Sequence, residues 1–356
     1  MIESWLYEKR AEGQVRCNVC ALRCIIAPGH RGACGTRSNR DGTLYTLIHG
    51  VASTVFVDPI EKKPLFHFHP GTRVFSLGSV GCNFRCPGCQ NWQISHAGLD
   101  RLGPDRIRID PEEAAERALA EGCAGVAWTY NDPVIWIEQT VSGARRAKEL
   151  GLYSCYVTNG YATPEHLELI GPHLTAWRVD LKGFSRSTYK KVSRVAAWEP
   201  VLEMTKLAKF RYGMHVECVT NITPTMNDDE QELREMARWI RKDLGEFTPW
   251  HVTRFFPYLD LSHLPPTPIE QLERVCDIGR EEGLKYVYIG NVPGHRLEST
   301  YCHACGHLLI ERRGHVVRVL GLEGGRCARC DAVIPGRWGA IRSMARPRVR
   351  AALFCG

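Results

Sequence analysis

The stretch Gly78–Trp92, GSVGCNFRCPGCQNW, decides how the rest of the chain is read. It places Cys82, Cys86 and Cys89 in C-x3-C-x2-C spacing, directly after Val74–Val80, an apolar run of strand type. Three thiolates on one short loop can hold three irons of a [4Fe–4S] cluster and leave the fourth iron without a protein ligand. An open coordination position marks a reactive site, whereas four protein ligands make a structural or electron-carrying one. The competing reading is a loop zinc site completed by another residue, with His96 close by in sequence.

Outward from that loop, residues 71–291 alternate strand and helix signals. Short runs rich in β-branched or aromatic residues recur at Ala124–Thr129, Tyr153–Thr158, Ala176–Leu181, His215–Ile222, Val252–Phe256 and Tyr286–Ile289. Such runs suit strands buried on both faces. Helical patterns lie between them. One starts at Asp110, a capping residue, with Pro111 in the first turn. Others run over Val134–Leu150, ending at Gly151, and over Glu165–Ile170, Glu199–Tyr212, Asp228–Leu244 and Ile269–Glu282. Lys182–Trp198 reads as a long connection. Repeated strand–helix units predict an α/β fold, a partial (β/α)6-type barrel with a parallel sheet. Ligands in such folds gather at the carboxyl ends of the strands. The barrel is expected over 71–298, after an N-terminal four-cysteine module with a strand-rich segment over 1–70. A C-terminal four-cysteine ribbon is expected over 299–339 and a basic tail over 340–356.

Composition narrows the class. The 356 residues are 44% hydrophobic and 24% charged, which argues against disorder, collagen and coiled coil. No apolar run approaches the ~18 residues of a membrane span. The start, MIESWLYEKRAEGQ, lacks the apolar block of a signal peptide, so a cytoplasmic protein is expected. Sixteen cysteines in a reducing compartment point to metal rather than disulfides. Beside the loop triad, Cys17, Cys20, Cys24 and Cys34 follow C-x2-C-x3-C-x9-C. Zinc or an auxiliary [4Fe–4S] cluster fits that set. Cys302, Cys305, Cys327 and Cys330 form C-x2-C-x21-C-x2-C, a single tetrahedral sulfur site for zinc or one iron. Cys123, Cys155, Cys218 and Cys276 sit in apolar patterns and read as small buried hydrophobes; Cys355 stands apart near the end. The net charge of +7 lies in the flanks, because residues 71–298 carry −3.

The loop and its place after the first strand resemble the radical SAM superfamily, over about residues 70–292. That resemblance implies that the open iron is chelated by the amino and carboxylate groups of S-adenosylmethionine. One electron then breaks the sulfonium C–S bond and gives a 5′-deoxyadenosyl radical. It also implies roles at strand ends. Asp132, with Asn131 beside it in TYNDP, accepts the methionine ammonium; a helix N-cap is the plainer reading of Asp132. Thr158 and Asn159 face the ribose or carboxylate, and Gly160 allows close approach. Asp180 and Lys182 in VDLKG resemble the D-x-K pair of glycyl-radical-enzyme activases, positioned at the methionine carboxylate and counted as catalytic candidates. Glu217 is a further cofactor-binding candidate, and Thr220, Asn221 and Arg254 are weaker ones. Two positions depart from pattern. Gly88 stands where an aromatic often packs near the adenine, leaving Phe84 or Trp92 to supply that surface. Val157 replaces the aspartate of the activases' monovalent cation site.

The whole pattern, CNVCALRC, DPIEKKPLFHFHPG, the triad, TYNDP, VTNGY, VDLKG, RFFP, YIGNVPG and the paired C-x2-C, resembles the AmmeMemoRadiSam system radical SAM enzymes, relatives of the pyruvate formate-lyase activase family. Implied partners are Memo-like and Ammecr-like proteins, and an electron donor such as flavodoxin or ferredoxin. His67, His69, Asp58 and Glu61 are read as pocket residues or as a brace at the barrel entry. Three functions stay open: a radical SAM enzyme on protein, RNA or metabolite; a glycyl-radical-enzyme activase; and a zinc-bearing nucleic-acid-binding protein using the arginine-rich tail.

Overall fold

The computed structural model describes residues 1–101 and 106–339. The tail 340–356, with its arginines and Cys355, lies outside the described residues.

One eight-stranded sheet organises the chain. Strand β1 (Thr54–Pro59) pairs antiparallel with β2 (Arg73–Gly78) and forms one edge. From β2 the sheet runs in sequence order through β3 (Gly125–Trp128), β4 (Tyr153–Thr158), β5 (Ala176–Asp180), β6 (His215–Ile222), β7 (Trp250–Arg254) and β8 (Val287–Gly290). Every pairing from β2 onward is parallel. Parallel strands need crossovers, and helices supply them: α1 (Pro111–Ala120), α2 (Ile137–Glu149), α3 (Pro164–Ile170), α4 (Arg186–Ser193), α5 (Glu199–Phe210), α6 (Glu230–Trp239) and α7 (Ile269–Glu281). With helices covering the sheet, its strands bury almost continuously. Trp128, Trp177 and Trp250 have no exposed surface.

Two features depart from the sequence reading. β1 comes from the segment assigned to the N-terminal module, yet it extends the main sheet. Helix α4 occupies part of the stretch read as a connection. Ser185 caps it by accepting the Thr188 N–H at 3.2 Å, and Arg194 at φ 63° ends it. Eight mostly polar residues carry too little apolar period to announce such a helix.

The flanking segments pack on this frame. Short antiparallel strands at Val15–Cys17 and Ile25–Ile26 place Val15, Val19 and Ile26 in the same core as the sheet and helices. At the other end, β9 (Leu308–Arg313) and β10 (Val316–Val319) form a hairpin. Leu309, Ile310 and Ile334 pack there with Phe66, Tyr286 and Tyr288. Buried Arg312 fixes the contact by donating to the Phe66 carbonyl at 2.7 Å. Among the described residues, no helix is long and apolar enough to cross a membrane.

Candidate active site

The loop 79–92 leaves the carboxyl end of β2, and the ends of β3 and β4 hold it in place. Asn131 accepts the Ser79 N–H through Oδ1 at 2.9 Å and donates through Nδ2 to the Gly81 carbonyl at 2.9 Å. Asn159 donates through Nδ2 to Asn83 Oδ1 at 2.8 Å. Arg85 donates to the Cys82 carbonyl at 2.9 Å and to the Ala33 carbonyl at 2.8 Å. Gly81 has φ +79°, and a Cβ there would lie 2.5 Å from the Cys34 carbonyl oxygen, so only glycine serves. Cys82, Cys86 and Cys89 are free and partly buried within this frame.

Asp132 sits under Asn159 rather than in the open. Its carboxylate accepts from the Val134 N–H at 2.9 Å, the Asn159 N–H at 2.6 Å and the Thr158 hydroxyl at 3.1 and 3.2 Å. Three donor groups thus hold the carboxylate in place, and the N-cap bond to Val134 is among them. Burial pushes its carboxyl up to about 6, against the opposing pull of these donors. The Gly160 N–H in turn donates to Thr158 Oγ1 at 3.0 Å. Asn131 on one side, and Asp132, Thr158 and Asn159 on the other, thus hold the cysteine loop.

Asp180 and Lys182 are brought together at the end of β5, with Lys182 Nζ 3.1 Å from Asp180 Oδ2. Arg178, absent from the sequence candidates, joins them by donating to Asp180 Oδ1 at 2.7 Å. The period-two spacing Arg178, Asp180, Lys182 was the available signal. Burial alone would raise the Asp180 carboxyl, but Arg178 and Lys182 hold it below its usual value. The trio neighbours the triad. Burial pushes the Cys86 thiol up to about 11, and the Lys182 ammonium opposes that rise.

Gly88 faces Phe255 and Leu261. A Cβ on it would lie 2.9 Å from Leu261 Cδ1 and 3.2 Å from Phe255 Cε2. The aromatic beside this position therefore comes from the end of β7. Phe84 is instead buried against Tyr161, ring centroids 5.2 Å apart. Replacing Gly88 with tyrosine is expected to force Phe255 and Leu261 apart and to lower cluster loading several-fold, read as iron per chain; Gly88→Ala, met mainly by the mobile end of Leu261, is expected to load normally.

Glu217 is a correction. It is the third residue of β6, toward the amino end of the strand and away from the cysteine loop. It accepts from the His67 N–H at 2.8 Å and the Phe66 N–H at 3.0 Å, and it pairs with His251 Nε2 at 2.6 Å and His215 Nε2 at 2.8 Å. It is a fully buried anchor for the HFH segment. His67 bridges from there to Tyr288 Oη at 2.6 Å and to the Pro335 carbonyl at 2.7 Å, which matches the brace reading. Asp58 binds buried Lys63 at 2.7 Å and receives the Tyr130 hydroxyl at 2.5 Å. The weaker candidates are held by structural bonds: Thr220 accepts from Trp250 Nε1 at 2.9 Å, Asn221 donates to the Arg254 carbonyl at 3.0 Å, and Arg254 donates through Nε to the Thr267 carbonyl at 2.8 Å.

Sulfur spacing separates the cysteine groups. Among the described residues, the one set of three or more cysteine, histidine or carboxylate ligand atoms lying within 4.8 Å of one another is Cys302, Cys305, Cys327 and Cys330. Within it the sulfurs of Cys302 and Cys330 are 3.6 Å apart, and those of Cys305 and Cys327 are 3.7 Å apart. Sulfurs at about 2.3 Å from one tetrahedral ion stand about 3.8 Å apart, so this set fits a single metal. The triad is more open, and His96 does not close it into a compact set. Thiolates that each reach a different iron stand farther apart than thiolates sharing one zinc, and the triad is of the more open kind.

The radical SAM superfamily model matches residues 77–240. An uncharacterized protein of Methanocaldococcus jannaschii is 45% identical over 336 residues, which cover 94% of this chain and 99% of that one. A second uncharacterized protein of that organism is 23% identical over 198 residues, 54% of this chain and 52% of its own length. A radical SAM methyltransferase of known structure from Sphaerobacter thermophilus superposes with a TM-score of 0.48 at 16% identity, covering 68% of this chain and 71% of that one. Taken with the parallel sheet and the three-cysteine loop at its carboxyl edge, the family-model match places the chain in the radical SAM superfamily.

Proposed function

We propose that this chain is an enzyme that reductively cleaves S-adenosylmethionine at a [4Fe–4S] cluster held by Cys82, Cys86 and Cys89. The observation that carries the reading is the donor set: three cysteines on one loop after the first parallel strand, in open rather than single-ion spacing. Cys82, Cys86 and Cys89 would hold the cluster, which when reduced would supply the one electron needed to split the sulfonium C–S bond into methionine and a 5′-deoxyadenosyl radical. The protein's own residues supply position. Asn131 and Asn159 fix the loop backbone, and Asp132 fixes Asn159. Lys182, next to Cys86 and paired with Asp180, is the cation this reading assigns to the methionine carboxylate. The turn at Leu259–Leu261 covers the loop, with the Asp260 N–H donating to the Pro87 carbonyl at 3.0 Å, and helps to exclude water.

Anaerobic reconstitution followed by dithionite and S-adenosylmethionine tests this reading. It predicts 5′-deoxyadenosine and methionine in equal amounts; none from a fully loaded protein would refute it. Replacing Lys182 with alanine removes a charged partner worth about 1.5–3 kcal/mol. It is expected to weaken S-adenosylmethionine binding about 10- to 100-fold by equilibrium dialysis, with cluster loading intact.

The Asp180–Lys182 pair favours a narrower second reading, installation of a glycyl radical on a partner protein, and Val157 in place of an aspartate weighs against it. The whole-chain pattern supports membership of the AmmeMemoRadiSam group, with Memo-like and Ammecr-like partners and a flavodoxin or ferredoxin as donor. Zinc at the C-terminal set is proposed as the staple of a module too small to build its own core.

A further inference from the structure

Cys17, Cys20, Cys24 and Cys34 lie outside the residues matched by the family model, and together with Arg37 they line a single cavity. None is in a disulfide, and all but Cys24 are buried. Two independent observations bear on what that cavity takes.

The first is spacing. Four cysteines around one zinc draw their sulfurs to about 3.8 Å, as the C-terminal set of this chain does. The N-terminal sulfurs do not come within 4.8 Å of one another as a set, nor do those of the triad. Thiolates bound to separate irons of one cluster stand farther apart than thiolates sharing one ion. Both of these sets are therefore more open than the compact one.

The second is Arg37. Its side chain is 1% exposed, and its terminal nitrogens are occupied. Nη1 donates to Glu138 at 2.8 Å and to Ser4; Nη2 donates to Glu138 at 2.9 Å and to the Ile135 carbonyl at 3.0 Å. Its Nε is buried with no hydrogen-bond partner. An unsatisfied buried donor is costly, and the arginine carrying it is one of the residues lining the cysteine cavity. An anionic sulfur-rich group there gives that N–H an acceptor.

We propose that Cys17, Cys20, Cys24 and Cys34 hold a second [4Fe–4S] cluster, with Arg37 Nε as a donor to its sulfur. The site adjoins the first. The Cys34 carbonyl packs against Gly81, and Ala33 and Ala21 are hydrogen-bonded to Arg85 and to the Tyr161 carbonyl.

The test is the variant carrying Cys82→Ala, Cys86→Ala and Cys89→Ala, loaded anaerobically and assayed for iron, acid-labile sulfide and zinc with Mössbauer spectra. The proposal expects about four irons and four sulfides per chain to remain, as a closed four-cysteine cluster. Near-zero sulfide with a second zinc per chain would overturn it. Should that variant fail to fold, the wild-type chain decides: about eight sulfides support a second cluster, and about four, with one zinc in each flanking set, overturn it. The latter result leaves the proposed reaction at the triad standing, so the two readings fail separately.

Discussion

Alanine at Cys86 is expected to reduce 5′-deoxyadenosine formation to the background without enzyme, while the variant keeps its circular dichroism and its C-terminal metal. In the proposed cluster each sulfur of the triad would bind a different iron, so a missing one would leave two irons exposed rather than one. The loop itself is held by bonds that do not involve the Cys86 sulfur: Asn131 to Ser79 and Gly81, Asn159 to Asn83, and Arg85 to Cys82 and Ala33. The loss should therefore fall on chemistry and not on folding. Replacing buried Cys155, which sits in β4 away from the loop, by alanine is the matched control and should leave cleavage within a factor of two.

The largest stability effect is expected at Glu138. Its carboxylate meets Arg37 in a bidentate pair at 2.8 and 2.9 Å and also accepts from Ser4 Oγ at 3.1 Å and the Trp5 N–H at 3.2 Å. Both partners are 1% exposed. Glu138→Ala strands the Arg37 charge in the interior, which costs about 3–5 kcal/mol. Chemical denaturation should show that loss, and the N-terminal segment should become protease-sensitive first, because Glu138 joins residues 4, 5 and 37 to α2. Burial would raise the Glu138 carboxyl, but Arg37 outweighs it and holds it below its ordinary value. A carboxyl depressed in the folded state contributes stability that is complete above its unfolded value of 4.5 and fades as pH falls below it. The wild type minus Glu138→Gln difference should therefore shrink in acid.

The seven parallel strands were legible because each is a short, doubly buried run, and burial on both faces writes itself as uninterrupted apolar sequence. The triad was legible because ligand spacing is local. Long-range register was not. Glu217 looked like a site residue because a carboxylate inside an apolar strand is unusual, yet its third position in β6 puts it at the opposite edge from the cysteines. Asp132 could be read as a cap or as a ligand, and its contacts with Thr158 and Asn159 at the end of β4 join residues too far apart in sequence to be foreseen. The aromatic beside Gly88 comes from Phe255, far along the chain, so no local window could have named it. Within the N-terminal set the sequence left zinc and a cluster equally open, since four cysteines serve both and only the distance between sulfurs differs.

The most direct measurement is electron–nuclear double resonance on the reduced protein with S-adenosylmethionine labelled in its amino nitrogen and carboxylate oxygen. Direct ligation of one iron predicts resolved hyperfine coupling from both labels, lost in the Cys86→Ala variant. A reduced, fully loaded protein that binds the labelled compound yet shows neither coupling would contradict the account.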